Sequence, residues 1–424
     1  MAITSTAISS LPARLVREVL KRGFLLVAAL VPTRRSLVLV SGGGLEDQLL
    51  AVFEEAVARE PDLPVHWVVD DPEVAAQMLE RVARTTVRPT FHQAWSPTAV
   101  VRLLTARLVV FTHGLPGALG PSRRRAVVNV WHGMPLKRIR GEDMIFGNDP
   151  IRAQLTCATS AFWCAKLAEE FRQPLSSIRA VGLPRNDRML RPVDRAAQVR
   201  ALGLDPGRPV VTMLPTYRSS PLYPGKWEGV ETDPISQVPG LDVPELAALA
   251  GELDVQLVVK PHPATYWART RSERHDDLLV VSNAGLADAG LTLADLLAVT
   301  DVLVTDYSSV WIDYVLLDRP MVFVLPDLEA YVGNRGFCVD NALDLQPGPR
   351  VETAAELAAA LRETVARLRG GDPDPYADAR TESIELHHDV RDDRSAARLL
   401  DAIAPAVPDV LTARPPGTPS EVLR

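Results

Sequence analysis

The stretch that decides the fold is residues 37–46, LVLVSGGGLE. A short apolar run leads into a serine and three glycines, and a helical pattern follows from Glu46 to Arg59. This order predicts a buried strand, a tight turn and a helix. It recurs along the first half of the chain, where we predict further strands at 65–69, 108–111 and 126–130. Buried strands that alternate with helices indicate a parallel, doubly wound α/β sheet.

A polar stretch at 188–208, with two prolines and two glycines, interrupts this alternation. The alternation then restarts, with strands predicted at 210–214, 257–259, 278–281, 302–304 and 321–324. Two successive α/β halves joined by a linker predict two facing Rossmann-like domains. Because ligands of such sheets bind outside the carboxyl ends of the strands, we expect the functional site in the interdomain cleft.

These patterns also give expected domain bounds. We predict an N-terminal Rossmann-like domain at 36–195 and a C-terminal one at 205–404. The second domain is expected to close with a helix at about 394–403 that packs back across the domains. Several prolines after it predict a disordered tail over 405–424.

The first 35 residues have a pattern of their own. Arg14, Arg17 and Lys21 recur at near-helical spacing beside apolar residues, and the apolar run 24–31 is too short to span a bilayer. A basic amphipathic helix over 1–35 can lie on an anionic membrane surface, but an ordinary helix packed on the first domain fits equally well.

The composition restricts the class of protein. Apolar residues make up 47% and charged residues 23%, as in a globular enzyme. The net charge of −7 provides no general basic surface for nucleic acid. The three cysteines lack C-x-x-C spacing, so neither a disulfide framework nor a cysteine metal site is expected, and a reducing cytoplasm fits this usage.

The most informative motif is residues 128–137, VNVWHGMPLK, in which an apolar strand ends directly in His132. A histidine just past the carboxyl end of a strand points into the cleft, and Gly133 permits close approach of a ligand or a positive φ. An imidazole there can take a proton from an attacking hydroxyl. The competing interpretation is a structural histidine held by hydrogen bonds.

A second motif, VVKPHP at 258–263, repeats this arrangement in the second half. A strand ends in Lys260 and His262, and prolines fix the backbone around the histidine. A lysine and a histidine placed in this way suit an anionic, phosphate-bearing ligand, as charge partners or as an acid for the leaving group.

A third motif lies at 301–310, DVLVTDYSSV, where a strand is followed by two serines and an apolar helix. Serines at a helix start cap the helix, and they also offer hydroxyl and N–H groups to an anion. The candidate ligands of a diphosphate here are Thr305, Asp306, Ser308 and Ser309.

Two weaker motifs complete the set of candidate phosphate-binding residues. LPTYR at 214–218 ends the strand that opens the second half, and it contributes Thr216 and Arg218. GLPRND at 182–187 lies in the linker region that faces the cleft, and it contributes Arg185 and Asp187. Arginine can fork onto a phosphate, although a surface arginine is usually only solvated.

Other motifs are discounted. The glycines at 42–44 match neither a dinucleotide fingerprint nor a P-loop. The pair His387 and His388 has no further ligands nearby in sequence, so a metal site is not expected there. No carboxylate pair is evident among the motifs, and we expect neither an obligate metal nor a cofactor.

Taken in order, the motifs resemble those of the CDP-glycerol:poly(glycerophosphate) glycerophosphotransferase family, the teichoic-acid primases and polymerases. The resemblance covers roughly residues 105–400 and rests on VNVWHGMPLK, GLPRND, LPTYR, VVKPHP, DLLAVTDVLVTDYSSVWIDYVLLDRP and FVLPDLEAY. Two departures stand out. Met134 replaces a threonine that is usual in the family, and the first hundred residues match poorly, which leaves the acceptor open.

The resemblance implies a GT-B-type fold and an enzyme at the cytoplasmic face of the membrane, acting on a lipid-linked acceptor. By the same comparison His132 is the general base, His262 is needed for activity, and the segment 305–309 contacts the donor diphosphate. Arg218 matches a donor-phosphate ligand.

The expected reaction moves a polyol phosphate, with glycerol phosphate first among the candidates, from a CDP-activated donor to an acceptor hydroxyl and releases CMP. Two alternatives stay open at this point. One is a nucleotide-sugar glycosyltransferase on the same fold, since a fold does not fix its donor. The other is a non-catalytic module that binds a polymer precursor.

Overall fold

The structure is a computed structural model of the 424-residue chain. It describes residues 11–115, 119–139, 151–218, 235–262, 272–334 and 336–413. In the first helix, the side chains of residues 11–18 and 20 also lie outside the description.

The N-terminal domain is built on a parallel sheet of seven strands in the order β3-β2-β1-β4-β5-β6-β7. The strands are β1 Arg34–Val40, β2 Val65–Val69, β3 Thr90–Gln93, β4 Ala106–Phe111, β5 Ala126–Asn129, β6 Leu155–Ala158 and β7 Ile178–Ala180. Its helices are α1 Leu11–Leu30, α2 Asp47–Arg59, α3 Pro72–Val82, α4 Pro97–Thr105, α5 Ala161–Phe171 and α6 Pro184–Leu190, and the next helix, α7 Arg195–Ala201, packs its buried Val199 in the core of the second domain. A strand order that reverses beside β1 is the doubly wound arrangement that the sequence predicts.

The C-terminal domain repeats this plan with the strand order β10-β11-β9-β8-β12-β13-β14. The strands are β8 Val210–Leu214, β9 Gln256–Val259, β10 Ser272–His275, β11 Leu278–Val281, β12 Val302–Thr305, β13 Met321–Val324 and β14 Arg350–Val351. The helices are α8 Val243–Glu252, α9 Asn283–Asp288, α10 Leu293–Val299, α11 Val310–Tyr314, α12 Leu328–Asn334, α13 Ala354–Gly370, α14 Ala377–His387 and α15 Ser395–Ile403. All pairs are parallel except the edge hairpin β10–β11.

The central strands are buried along their whole length, which explains their continuous apolar sequences. In β2, β5, β8, β9, β12 and β13 every residue is buried. Helices cover both faces of such a sheet, so its strands need no polar side.

Several helices begin at a side-chain cap. Asp71 accepts from two backbone amides at the start of α3, and Thr292 and Thr353 form capping boxes with Asp295 and Glu356.

A buried ion cluster joins the two domains. Arg188 of α6 contacts Glu54 of α2 at 3.7 Å and Asp295 of α10 at 3.0 Å, and Arg84 contacts Asp295 at 3.2 Å. A short backbone pairing of residues 136–138 with 336–338 adds a second link, in which Lys137 bridges to Phe337. These contacts hold the carboxyl ends of the two sheets towards each other and define the interdomain cleft.

Helix α15 crosses from the second domain back onto α2 and α6 of the first. Arg59 of α2 donates to Asp401 at 2.6 Å and to the carbonyl oxygen of Ala397 at 2.9 Å. The prediction that disorder begins at residue 405 is wrong for residues 405–413. Val407, Val410 and Leu411 are almost fully buried in the first domain, because their apolar side chains pack in the same core cluster as those of α15. Residues 414–424 lie outside the described part.

Helix α1 packs one face on the first domain through Phe24 and Ala28. Its other face carries exposed apolar side chains, namely Val19, Leu26, Val27 and Leu30. Within the described helices, α1 included, we find none with the length and apolar character needed to cross a membrane.

Candidate functional site

The turn after β5 presents His132 to the cleft. The side-chain oxygen of Asn129 accepts from the Trp131 amide at 3.0 Å, and Trp131 adopts a positive φ of 50°. Gly133 follows with a φ of 142°. A β-carbon there would meet Arg185 Nη2 at 2.9 Å and the Ser309 hydroxyl at 3.3 Å. The glycine is therefore required both for its backbone conformation and for the close contact between the two domains.

The ring of His132 lies among other rings. It stacks on His113 with centroids 4.2 Å apart and planes 9° apart, and it lies 4.3 Å from the Trp131 ring. One side of the ring is open to the cleft, and protein atoms packed around the rest of it make its charged form costly. Desolvation lowers the pKa of His132 well below its usual value, and His113, Arg185 and His262 lower it further. The lowered pKa keeps the imidazole neutral at pH 7, and a neutral imidazole can accept a proton.

His113 and Glu46 belong to the same cluster, and our sequence interpretation missed both. His113 follows β4, and its Nδ1 lies 2.9 Å from the Thr112 hydroxyl and 3.6 Å from Glu46 Oε1. Glu46 also accepts from the Gly42 amide at 2.9 Å. Burial raises the pKa of Glu46, although His113 opposes this effect. The rule that singled out His132, a histidine just past the end of a buried strand, applies equally to His113.

The second domain contributes Lys260 and His262 just after β9. Lys260 is buried, and burial lowers its pKa to about 8 against the opposing charge of Asp47. The His262 ring lies 4.7 Å from the Tyr217 ring. Since the charge of His262 acts on the pKa of His132, the structure brings the two sequence-predicted histidines to one cleft, one from each domain.

Arg218 follows β8 as predicted, but its side chain contacts carboxylates where our sequence interpretation expected a phosphate. The side chain is 1% exposed, and its guanidinium contacts Asp306 at 2.8 Å and Asp327 at 2.8 and 3.0 Å. Burial alone would lower the pKa of Arg218, but the two carboxylates outweigh it and the pKa is raised. Four of its five N–H groups are committed to Asp306, Asp327 and the carbonyl oxygen of Thr216, so we assign Arg218 to the support of the site in place of direct phosphate binding.

Asp306 and Thr216 are part of the same buried network. Asp306 accepts from the Thr216 amide and hydroxyl, at 2.9 and 2.5 Å, and from the Ser308 amide at 3.2 Å. The Thr305 hydroxyl donates to the carbonyl oxygen of Leu214 at 2.8 Å. These side chains join the ends of β8 and β12 and hold the backbone of the serine turn, so their contacts are structural.

The two serines lie differently. Ser309 precedes α11 without a side-chain capping bond, and its hydroxyl lies close to Gly133 of the other domain. Ser308 accepts from the Val310 amide at a long 3.4 Å. Ser309 is therefore the member of the third motif that lies next to the His132 turn.

Arg185 links the same two motifs, whereas its neighbour Asp187 does not. Arg185 donates to the carbonyl oxygen of His132 at 2.8 Å and pairs with Asp313 of α11. Asp187 is 1% exposed and accepts from the Ser395 and Ala396 amides at 2.7 and 2.8 Å. It caps α15 and does not reach the cleft, so its assignment to phosphate binding is replaced by a structural one. Burial raises its pKa to about 7, although both amides oppose this.

Across the described ranges, no three acidic, histidine or cysteine side chains are arranged to hold a metal ion. His387 accepts from the Trp163 indole at 3.1 Å, and His388 hydrogen-bonds the carbonyl oxygen of Ile312. This pair packs α14 against the two domains.

Comparison with known proteins gives the family. The family model described as CDP-Glycerol:Poly(glycerophosphate) glycerophosphotransferase matches residues 25–405, and so begins well before residue 105, where the motif resemblance starts. A teichoic acid glycerol-phosphate transferase of Staphylococcus aureus is 26% identical over 308 residues, covering 68% of this chain and 73% of that protein. A teichoic acid ribitol-phosphate primase of Bacillus spizizenii is 24% identical over 341 residues, covering 76% and 82%.

Solved structures show the same fold. The wall teichoic acid polymerase TagF superposes with a TM-score of 0.72 at 19% identity, over 93% of this chain and 94% of that one. This likeness confirms the predicted GT-B-like arrangement of two facing α/β domains. Together with the family match over nearly the whole length, it establishes that the chain belongs to the CDP-glycerol:poly(glycerophosphate) glycerophosphotransferase family.

Proposed function

We propose that this enzyme moves a polyol phosphate from a CDP-activated donor to a hydroxyl of a lipid-linked polymer and releases CMP. The observation that carries the proposal is the pair His132 and His262, one from each domain, at the carboxyl ends of two facing sheets. Family membership supports the reaction class.

The proposed chemistry is a direct displacement. The acceptor oxygen forms a bond to the β-phosphorus of the donor, while the bond from that phosphorus to the bridging oxygen breaks and CMP leaves. The proton of the acceptor hydroxyl passes to His132, whose lowered pKa keeps it unprotonated before the step. Catalysis in such a site rests mainly on positioning and on charge stabilisation.

In the proposal, residues of the C-terminal domain stabilise the negative charge of the donor phosphates. Lys260 has a pKa of about 8 because of burial, so it is still largely charged at pH 7 and can stabilise an anion. His262 and Ser309 lie beside it on the same wall in the proposal, and Arg185 orients the His132 turn through its backbone carbonyl. The Asp306–Arg218–Asp327 network supports this wall from behind.

The reaction is proposed to need no resident metal ion. Positive charge comes instead from Lys260 and from the protonated form of His262. The test is transfer measured after exhaustive treatment with EDTA and again with added Mg²⁺. A rate that depends on added Mg²⁺ contradicts this part of the proposal.

The proposal also places the enzyme at a membrane surface, to which α1 would bind. Helix α1 exposes four apolar side chains and covers an apolar cavity of about 560 Å³, whose rim includes Arg152 and Arg172. Apolar residues beside basic ones suit an anionic bilayer, which is where a lipid-linked acceptor resides. Sedimentation with vesicles of anionic and of neutral lipid, with and without α1, tests this.

A panel of donors tests the proposed function as a whole. CDP-glycerol, CDP-ribitol and UDP-sugars are supplied separately with a lipid-linked acceptor that ends in glycerol phosphate. The related proteins named for glycerol and for ribitol phosphate make both CDP donors necessary. We expect CMP release from a CDP-polyol and a product heavier by one polyol phosphate. UDP release alone would make the enzyme a glycosyltransferase.

A further inference from the structure

The cluster around His132 contains a second imidazole, that of His113, which is also held by contacts from several elements. Four elements meet at His113: the glycine turn after β1, the residue before α2, the end of β4 and the turn after β5. The ring lies against Gly42, Thr112, Glu46 and His132. We propose that His113 is a positioning residue that fixes the ring plane of His132 through the stack. This inference rests on the proposed role of His132 as base.

The first support is the fit of the His113 ring against Gly42. A β-carbon on residue 42 would lie 2.1 Å from Nδ1 of His113 and 2.3 Å from Cγ, far inside any permitted contact. The backbone of Gly42 has no positive φ, so conformational freedom does not explain a glycine there. The glycine instead leaves the space that the imidazole occupies.

The second support is that one residue holds both imidazoles. The Thr112 hydroxyl contacts His113 Nδ1 at 2.9 Å and also hydrogen-bonds Glu46. The backbone of the same residue hydrogen-bonds His132, which acts against the lowering of its pKa. Movement of the end of β4 would therefore shift both rings together, and the stack fixes their mutual orientation.

The third support is that part of the His113 ring stays exposed. The His113 side chain is 41% exposed, and in the described part of the chain Nε2 makes no hydrogen bond. The charged groups that face the pair are Glu46, Arg185 and His262, and Asp313 neutralises Arg185. A half-exposed ring with one bound nitrogen can support a neighbour without being the group that takes the proton.

The test is a double-mutant cycle. Gly42→Ala forces the His113 ring aside without altering it, and His113→Ala removes every atom that the new β-carbon would strike. We expect either single substitution to lower kcat by about 10- to 100-fold, since misplacement of a catalytic group by an ångström has effects of this size. In the His113→Ala background Gly42→Ala should have almost no further effect. Gly43→Ala, whose β-carbon meets nothing within 4 Å, is the matched control.

Three further readouts separate positioning from a general structural role. The KM for CDP-glycerol should stay near the wild-type value in Gly42→Ala, in His113→Ala and in the double variant. His113→Phe keeps a stacking ring and should recover most of the lost kcat. In His113→Phe the acid limb of the kcat/KM profile should move to higher pH, because His132 loses a neighbour that lowers its pKa.

Several outcomes would overturn the inference. Wild-type kcat in His113→Ala is one, and an equal loss from Gly42→Ala in both backgrounds is another. A His113→Phe enzyme as inactive as His132→Ala would make His113 the proton acceptor rather than a positioning residue. His132→Ala is assayed alongside, and full turnover by that variant would remove the proposed base itself, a different failure. Thermal unfolding of each variant identifies any that do not fold.

Discussion

The N-terminal and C-terminal walls of the cleft hold their polar groups in opposite ways. On the N-terminal wall, His132 and His113 stack with accessible surface and few hydrogen bonds. On the C-terminal wall, Arg218 lies sealed between Asp306 and Asp327 with almost every donor satisfied. The two imidazoles of the N-terminal wall face the cleft, whereas the charge of Arg218 on the C-terminal wall is neutralised inside the protein.

This difference separates reactivity from architecture. A neutral imidazole with a lowered pKa can accept a proton, whereas an arginine with a raised pKa and two carboxylate partners cannot change its state. Substitution of His132 should therefore affect the rate more than the stability, and substitution of Arg218 should do the reverse. Substitutions on each wall can break or sharpen this contrast.

The largest effect is expected at His132. His132→Ala should lower kcat by about 10²–10⁴-fold, the usual contribution of a general base, with little change in the midpoint of thermal unfolding. Binding of CDP-glycerol, measured by calorimetry, should persist because the proposed ligands of the donor phosphates, Lys260 among them, belong to the other wall.

The matched control for His132 is His275→Ala, a half-exposed histidine of the edge strand β10. Its activity should equal that of the wild type. If His132→Ala instead unfolded at a much lower temperature while the enzyme kept its kcat, the histidine would be structural and the contrast between the walls would fail.

The second effect is expected at Arg218. Arg218→Met leaves two buried carboxylates without their common cation, and such a loss costs about 3–5 kcal/mol of unfolding free energy. Urea unfolding measures it directly. Arg362→Met breaks an exposed pair with Glu252 and serves as the control, for which we expect no clear change in the unfolding midpoint. A folded, stable Arg218→Met protein that had lost only donor affinity would restore Arg218 as a phosphate ligand.

The two walls also differ in how far sequence reasoning reached. The strands with continuous apolar runs, such as 65–69 and 210–214, were predicted with their observed bounds, because burial on both faces leaves a plain signal. Short strands such as β7, Ile178–Ala180, and β14, Arg350–Val351, were missed. Their few residues carry no periodicity, and only the neighbouring strands define them.

For the site, the position of His132 at a strand end could be foreseen, but the partners of a side chain could not. Arg218 and Asp187 carry the charges that a phosphate site or a helix cap would equally use. What decides between those roles is the placement of Asp327 and of the first turn of α15, more than a hundred residues away in the chain. The strand-end position of His113 could have been foreseen in the same way, but its stacking on His132 could not, since that depends on the pairing of β4 with β5.

The smallest effect concerns Lys260, the buried cation on the C-terminal wall that is not paired with a carboxylate in the way Arg218 is. Burial places its pKa at about 8, so its charge is present below that pH and is lost as the pH rises through it. The KM for CDP-glycerol should therefore increase above pH 8, approaching about tenfold per unit if the charge is essential to binding. Lys260→Arg should stay charged and remove this rise, whereas Lys166→Arg, on the outer helix α5, should leave it unchanged. A KM that is flat from pH 7 to 9 in the wild type would mean that Lys260 does not meet the donor, and the C-terminal wall would then act on the phosphates through His262 and Ser309.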